Sequence, residues 1–402
     1  MNKRTFKVAG VAIVAASLAF AGCGSREPAA TGGAATTKVA KIGVIAPLSG
    51  GLSALGLGIR NSVDLAIRQA NESKAIPGWT LELAAEDDEA KPDVGKNAAT
   101  KLSSDAAVVG VVGTLNSSVA QSVIPVLDAA KIVQVSPANT NPTLTRGADY
   151  LTNPVRPNAN YFRTCTTDDV QGPFAAQYLL GVGIKKVATI HDKKSYGQGL
   201  VTEFAKAFAA GGGTVVAAET INPEDDSFAA VISKVKGAGP EAVYYGGEYP
   251  QAGPLSKQMK AAGLKVPLMG GDGIFSGEFI KLGGTNGDLA TSVGAPVETL
   301  ASAKPFVEGY KAAGFAEGYE AYGAYAYDAA NAIIKALQTS LASATDAKSA
   351  REATIKAMAS VSFEGATGKV AFDEFGDSVS RVLTVYTVTG GKWEAKKTGE
   401  LK

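Results

Sequence analysis

The chain has 402 residues, enough for two or three domains of ordinary size. Its 39 basic and 38 acidic side chains nearly cancel, and no basic block supplies the clustered Lys and Arg that a nucleic-acid backbone requires. Hydrophobic residues make up 46 %, too many for a disordered chain, and the single histidine, His191, excludes a multi-histidine zinc site or a Ser-His-Asp triad elsewhere in the chain.

Residues 1–22 read as a secretory signal, with Lys3, Arg4 and Lys7 ahead of the apolar run 8–20. That run is shorter than the roughly 20 residues a membrane-spanning helix needs. It ends in Phe20-Ala21-Gly22-Cys23, which resembles the bacterial lipoprotein signal, although Phe20 stands where leucine is more usual. The expectation is a lipid on Cys23 and an extracytoplasmic protein anchored to the cell membrane; the plain alternative is a secreted chain with an incidental cysteine. Residues 23–37 are small, polar and non-periodic, a flexible tether with a reach of about 20 Å. Removal of the signal leaves 36 basic against 38 acidic residues. With Cys23 acylated, Cys165 has no disulfide partner and reads as a small buried side chain.

From residue 38 the pattern alternates β-branched runs with amphipathic stretches. A strand over 41–46 ends at Pro47 and Ser49-Gly50-Gly51, and a helix over 56–71 carries Ile59, Val63, Ala66, Ile67 and Ala70 on one face. Strand 81–85, helix 93–103, the wholly apolar strand 107–112, helix 117–130 and strand 132–135 follow. The charge run Glu86-Asp87-Asp88-Glu89 reads as a solvated strand end, since no His or Cys lies near to fix a metal. A second series runs strand 186–191, helix 197–211, strand 214–218, helix 227–237, strand 242–245, helix 250–262 and strand 266–269. His191, just past a strand, reads as structural. The tail adds helices at 304–313, 319–340 and 348–360, strands at 369–373 and 381–388, and Trp393 in a last hairpin. Such alternation predicts an α/β protein of two lobes, each a mostly parallel sheet flanked by helices, with the chain returning to the first lobe before finishing in the second.

Several strings then carry a specific resemblance: SVAQSVIPVLDAAKIVQVSPANTNPTLT (118–145), QGPFAAQYLL (171–180), KKVATIHDKKSYGQGL (185–200), EAVYYGGEYP (241–250) and AAGLKVPLMGGDG (261–273). In order, from about residue 38 to 400, they resemble the leucine/isoleucine/valine-binding proteins, solute receptors of branched-chain amino-acid ABC transporters with the type I periplasmic-binding-protein fold. The resemblance implies a ligand cleft closed by a three-strand hinge. It places lobe 1 at 38–163 plus 296–381 and lobe 2 at 164–295 plus 382–402.

A free amino acid presents a carboxylate, which wants N–H and O–H donors and gains from a helix N-terminus, and an ammonium, which wants acceptors and a carboxylate. Ser117 lies where strand gives way to helix, at or beside the N-cap; a plain helix cap is the alternative, and the resemblance assigns it to the ligand carboxylate. The resemblance also implies backbone contacts from Ala138 and a hydroxyl and N–H from Thr140, in a loop that equally serves to end a strand. Tyr196 matches a tyrosine facing the ligand from the second lobe. Asp272 stands where the family has a glutamate that pairs with the ammonium, one methylene longer. Glu248 replaces a tyrosine: it shares or takes over the ammonium from Asp272, or else it faces solvent on a loop and Tyr249 becomes the aromatic wall. Leu55 and Tyr322 are the implied apolar and aromatic walls. The family's first-lobe disulfide is absent at both matching positions, Ala90 and Asn116.

The implied activity is capture of a small amino acid, branched-chain by default, and its delivery to an ABC permease with its ATPase. No catalytic residue, metal or cofactor is expected, and the receptor is read as a monomer. G-x-S-x-G, G-x-x-x-x-G-K-[ST] and G-x-G-x-x-G after the first strand are missing, which argues against an enzyme. A sensing subunit of the same fold, or a receptor for another neutral amino acid, an amide or a small carboxylate, stays open.

Overall fold

The computed structural model describes residues 37–401. The signal, the tether up to residue 36 and Cys23 therefore lie outside the described residues. Strands β1 (Lys38–Ala46), β2 (Trp79–Asp87), β3 (Val108–Gly113), β4 (Val133–Ser136) and β5 (Tyr161–Arg163) form one parallel sheet in the order β2-β1-β3-β4-β5. Every residue of β3 is buried, as expected of a parallel strand covered on both faces. Side chains alternate along β1 accordingly. Ile42 and Val44 pack with helices Ser53–Glu72 and Gly323–Ser340, whereas Ile45 packs with helices Pro92–Ser104 and Ser117–Ala129.

Strands β6 (Lys186–His191), β7 (Thr214–Thr220), β8 (Ala242–Gly246), β9 (Leu268–Gly270) and β10 (Leu289–Val293) begin a second sheet; β11 (Ser362–Gly365) and β12 (Gly368–Ala371) form a separate hairpin. The last strands, β13 (Val382–Thr389) and β14 (Lys392–Glu400), complete the second sheet in the order β14-β13-β10-β9-β8-β6-β7. It is parallel from β7 to β10 and antiparallel where β13 meets β10 and β14. The chain passes between the sheets after β5, after β10 and before β13, and the helix Gly323–Ser340 reached by the second passage packs on the helix Ser53–Glu72.

An ionic network ties these passages together. The carboxylate of Asp377 accepts from Arg163 Nε at 2.6 Å and from Arg146 Nε at 2.8 Å, while Arg146 also pairs with Asp169 at 3.0 Å. Arg163 has no exposed surface and donates further to the carbonyls of Asn139 and Asn141 and to the Thr145 hydroxyl. Burial works against the charge on Asp377, but the two guanidinium groups outweigh it and hold its carboxyl below the ordinary value.

Several findings differ from the sequence expectation. Helices Thr143–Arg146, Asp168–Gly181 and Gly277–Leu282 and the strands β5, β10 and β11 were absent from the predicted elements. The helix expected from 319 begins at Gly323, after an irregular 314–322 stretch. Asp88 is not solvated but fully buried: its N–H bonds the carbonyl of Ala46, which draws the chain inward at the strand end, and its carboxyl accepts from Ala90 N–H at 2.8 Å. Burial first, and then the neighbouring Asp87 charge, push its pKa up to about 7.

Candidate functional site

On the side of the first sheet, two loops at strand ends face the second half. After β3, Thr114 to Asn116 lead into the helix Ser117–Ala129, so Ser117 is its first residue and Asn116 its N-cap. After β4, the Ser136 hydroxyl accepts from the N–H groups of Ala138 and Asn139 and donates to the Thr114 carbonyl, while Asn139 Nδ2 donates to the Leu115 carbonyl at 2.8 Å. Each loop is thus fixed by the other. Ser117, Ala138 and Thr140 are all buried, and the Thr140 hydroxyl makes no well-formed hydrogen bond among the described residues, although it lies close enough to the Asp168 carboxyl to favour its charge. Such an unmet buried donor and acceptor costs about 1–3 kcal/mol, a deficit a polar ligand would remove.

The second half contributes a carboxylate held by neutral donors. Asp272, with no exposed surface, follows β9 in a short turn. Its Oδ1 accepts from Tyr196 Oη at 2.8 Å and Gln171 Nε2 at 2.9 Å, and its Oδ2 from Tyr322 Oη at 2.9 Å. Gln171 is in turn oriented by the Thr291 hydroxyl and by the Asp272 N–H. Burial raises the pKa of Asp272, and the donors Gln171, Tyr196 and Tyr322 pull it back in part. Among the described residues it has no ion-pair partner.

Glu248 differs. It N-caps the helix Tyr249–Ala261, accepts from Asn116 Nδ2 at 2.7 Å and pairs with Lys194 Nζ at 2.9 Å. For Lys194, burial lowers the pKa, but Glu248 and Asp192 outweigh it and raise it. Asp192 is itself raised, by burial and then by the Glu248 charge. The negative charge of Glu248 is already met within the protein.

The structure therefore brings Tyr196, Tyr322 and Asp272 into direct contact. A small cavity of about 10 Å³ is lined by Tyr196 and Tyr322 with Ala138, Leu115, Asn116, Glu248 and Gly273; Asp272 is not part of that lining. Neither Ser117 nor Thr140 is part of that lining. Leu55 is not part of that lining; it lies in the apolar core with Ile42, Val44 and Ile59. The halves touch through Tyr322–Asp272, Asn116–Glu248 and the Asn141 Nδ2 bond to the Ser195 carbonyl at 2.9 Å. At these points the two halves are in contact.

Sequence reasoning missed Asp168. It opens the helix Asp168–Gly181, its N–H bonds the Thr140 carbonyl at 2.9 Å, and its carboxyl makes no well-formed hydrogen bond among the described residues, with the Thr140 hydroxyl beside it. Burial and then the Asp272 charge raise its pKa well above the ordinary value. Gln171 and Lys194 were missed too; the first sat inside a quoted string with no polar neighbour to mark it. Among the described residues, no group of three or more His, Cys, Asp or Glu is placed to hold a metal, and no helix is long and apolar enough to cross a membrane.

Residues 39–392 match the family described as periplasmic binding protein. The chain is 35 % identical to "Leu/Ile/Val-binding protein homolog 3" of Brucella melitensis, covering 87 % of this chain and 92 % of that protein. It is 32 % identical to "Leu/Ile/Val-binding protein BraC3" of Rhizobium johnstonii, over 89 % of this chain and 92 % of that one. Among solved structures, the branched-chain amino acid transporter substrate binding protein LivJ of Streptococcus pneumoniae in complex with isoleucine superposes with a TM-score of 0.80 at 26 % identity, over 90 % of this chain and 100 % of that chain. The leucine binding protein LivK of Thermotoga maritima gives 0.79 at 27 % identity, over 89 % and 98 %.

Proposed function

The chain belongs to the periplasmic binding protein family, and from that premise we propose that it captures a branched-chain amino acid between its two halves and delivers it to an ABC permease. Periplasmic binding proteins are extracytoplasmic; anchoring through a lipid on Cys23 and a monomeric state are our further reading. We take the lobes as 38–163 plus 296–381 and 164–295 plus 382–402, joined by the three passages.

The observation that carries the assignment is Asp272: a fully buried carboxylate supported by hydroxyl and amide donors from both halves and, among the described residues, by no cation. A ligand ammonium completes it. Glu248, already paired with Lys194, serves instead to latch Asn116 across the cleft. The ligand carboxylate goes to the opposite wall, where the N-terminus of the helix Ser117–Ala129 favours an anion and the Ser117 and Thr140 hydroxyls stand with the Ala138 backbone. Leu115 and Tyr322 form the wall against the aliphatic side chain.

The mechanism is closure. With the ligand seated, its two charges bridge the walls, and each charge-assisted hydrogen bond contributes about 1.5–3 kcal/mol toward the shut state. The permease reads that state; the protein itself catalyses nothing. Residues 38–402, unfolded and refolded to strip bound solute, test this by calorimetry against leucine, isoleucine, valine, polar amino acids and sugars. At a hundred times its dissociation constant a true ligand adds about 2.7 kcal/mol of stability. A response to sugars alone would overturn the assignment.

A further inference from the structure

A second cavity, of about 750 Å³, lies between the halves and shares no lining residue with the small cavity at Tyr196. Its size falls within the range of small-molecule sites. One wall is the cluster Phe275, Tyr386 and Trp393, with ring centroids 4.1 Å (Phe275–Tyr386) and 5.6 Å (Phe275–Trp393) apart. Facing it are Tyr310, Phe315 and Tyr319 from the other half, themselves packed at 4.9 Å (Tyr310–Phe315) and 5.6 Å (Tyr310–Tyr319).

The polar groups of the lining are unequal in sign. Glu298, Glu317 and Glu320 all line the cavity, against Lys311 as the one cation among its described residues. Glu298 accepts from the Tyr319 hydroxyl, Glu317 from the Asn61 amide at 3.3 Å and Glu320 from the Ser276 hydroxyl at 3.0 Å. These donors are neutral, and among the described residues none of the three glutamates nor Lys311 is in an ion pair. Glu317 and Glu320 are half-buried, which makes their charge felt more strongly than on an open surface. The aromatic walls add the negative face of their π systems, which attracts cations within about 6 Å of a ring centroid. Phe315 already draws one: the Arg68 guanidinium, paired with Asp64, sits 5.3 Å from its ring.

We propose that this cavity is a second ligand site, for an organic ammonium ion carrying an aromatic or aliphatic body. The rings take the apolar body, and Glu317 with Glu320 faces the charge. An anion would meet three carboxylates, and a neutral apolar molecule would leave their charge unmatched. Nothing in this depends on which solute enters the cleft at Asp272, so the two sites are tested separately.

The probe is benzyltrimethylammonium, titrated into the refolded full chain by calorimetry and by tryptophan fluorescence, with phenylacetate and benzyl alcohol as anionic and neutral counterparts. The expected result is saturable binding of the cation, about tenfold or more tighter than either counterpart, undiminished by saturating leucine. Trp393→Phe should abolish the fluorescence response while the heat signal persists, since the other tryptophan, Trp79, lies in β2. Glu317→Gln combined with Glu320→Gln should weaken the cation about tenfold and leave leucine binding unchanged. If that double variant does not fold, Tyr319→Leu, which keeps apolar bulk and removes a π face, should weaken the cation about threefold. Lack of saturable binding, equal binding of phenylacetate, displacement of the cation by leucine, or undiminished cation affinity in a folded variant would each overturn the proposal.

Discussion

Asp377 and Asp272 are both nearly removed from solvent, with 2 % and 0 % exposure, yet their neighbours differ in kind. Asp377, in the segment that joins the halves, is met by the guanidinium groups of Arg163 and Arg146, and its carboxyl is held below the ordinary value. Asp272, in the cleft, is met by two phenols and an amide, and burial raises its carboxyl above the ordinary value. A paired buried charge is part of the framework, because removing one partner strands the other. A charge solvated only by neutral donors is oriented but not cancelled, which leaves it able to select an incoming cation. The same residue type thus does structural work in one place and recognition in the other.

The contrast is sharpest in substitution. Asp377→Ala strands a fully buried Arg163 and should cost about 3–5 kcal/mol of stability in urea unfolding; a loss under about 1 kcal/mol would dissolve the distinction. Asp272→Ala should act mainly on binding. We expect leucine affinity to fall about a hundredfold by calorimetry, with a smaller loss of stability of about 1–3 kcal/mol from the phenols and amide it leaves unpaired. Equal damage to fold and affinity would make Asp272 a second framework residue.

Acid titration separates the two by sign. Asp377 has a depressed folded value, so its stabilisation is present above the ordinary carboxylate range and disappears as pH falls through that depressed value. Asp272 and Asp88 have raised folded values, so each favours the fold below about 4 and loses that favour as pH rises, for Asp88 up to about 7. Asp88→Asn should flatten the decline in stability between those limits, a slope of up to about 1.4 kcal/mol per pH unit. Leucine affinity should weaken as pH drops through the raised value of Asp272. The smallest effect expected is at Thr140→Val, which deletes an unbonded hydroxyl: about 1 kcal/mol of binding and no loss of stability.

Much of this was legible in the sequence. The buried strand at 107–112 and the amphipathic 56–71 stretch announced themselves because one periodic pattern met one packing surface. Helix Asp168–Gly181 did not, since it is buried on several sides and the poor helix formers Gly172 and Pro173 lie inside it, so no single face stands out. The antiparallel attachment of β13 to β10 could not be read either: Leu383 pairs with Val293, about ninety positions away, and apolar runs do not state their direction. At the site, Tyr196, Thr140 and Asp272 were named from a family pattern. Gln171 and Asp168, which meet Asp272 and Thr140, and Lys194, which meets Glu248, were not, because they acquire meaning only when segments distant in sequence are brought together. The charge of Asp88 misled for the same reason.

The second passage of the chain has a kinetic consequence. The helix Ser53–Glu72 rests against Gly323–Ser340, so the first sheet lacks one of its covering layers until some 250 further residues exist. Contacts this remote in sequence close slowly, and a nascent N-terminal portion would meanwhile expose the apolar faces of Ile42 and Val44. Slow maturation of that kind keeps a polypeptide threadable for longer, and it makes truncated products prone to aggregate rather than to persist as half-receptors.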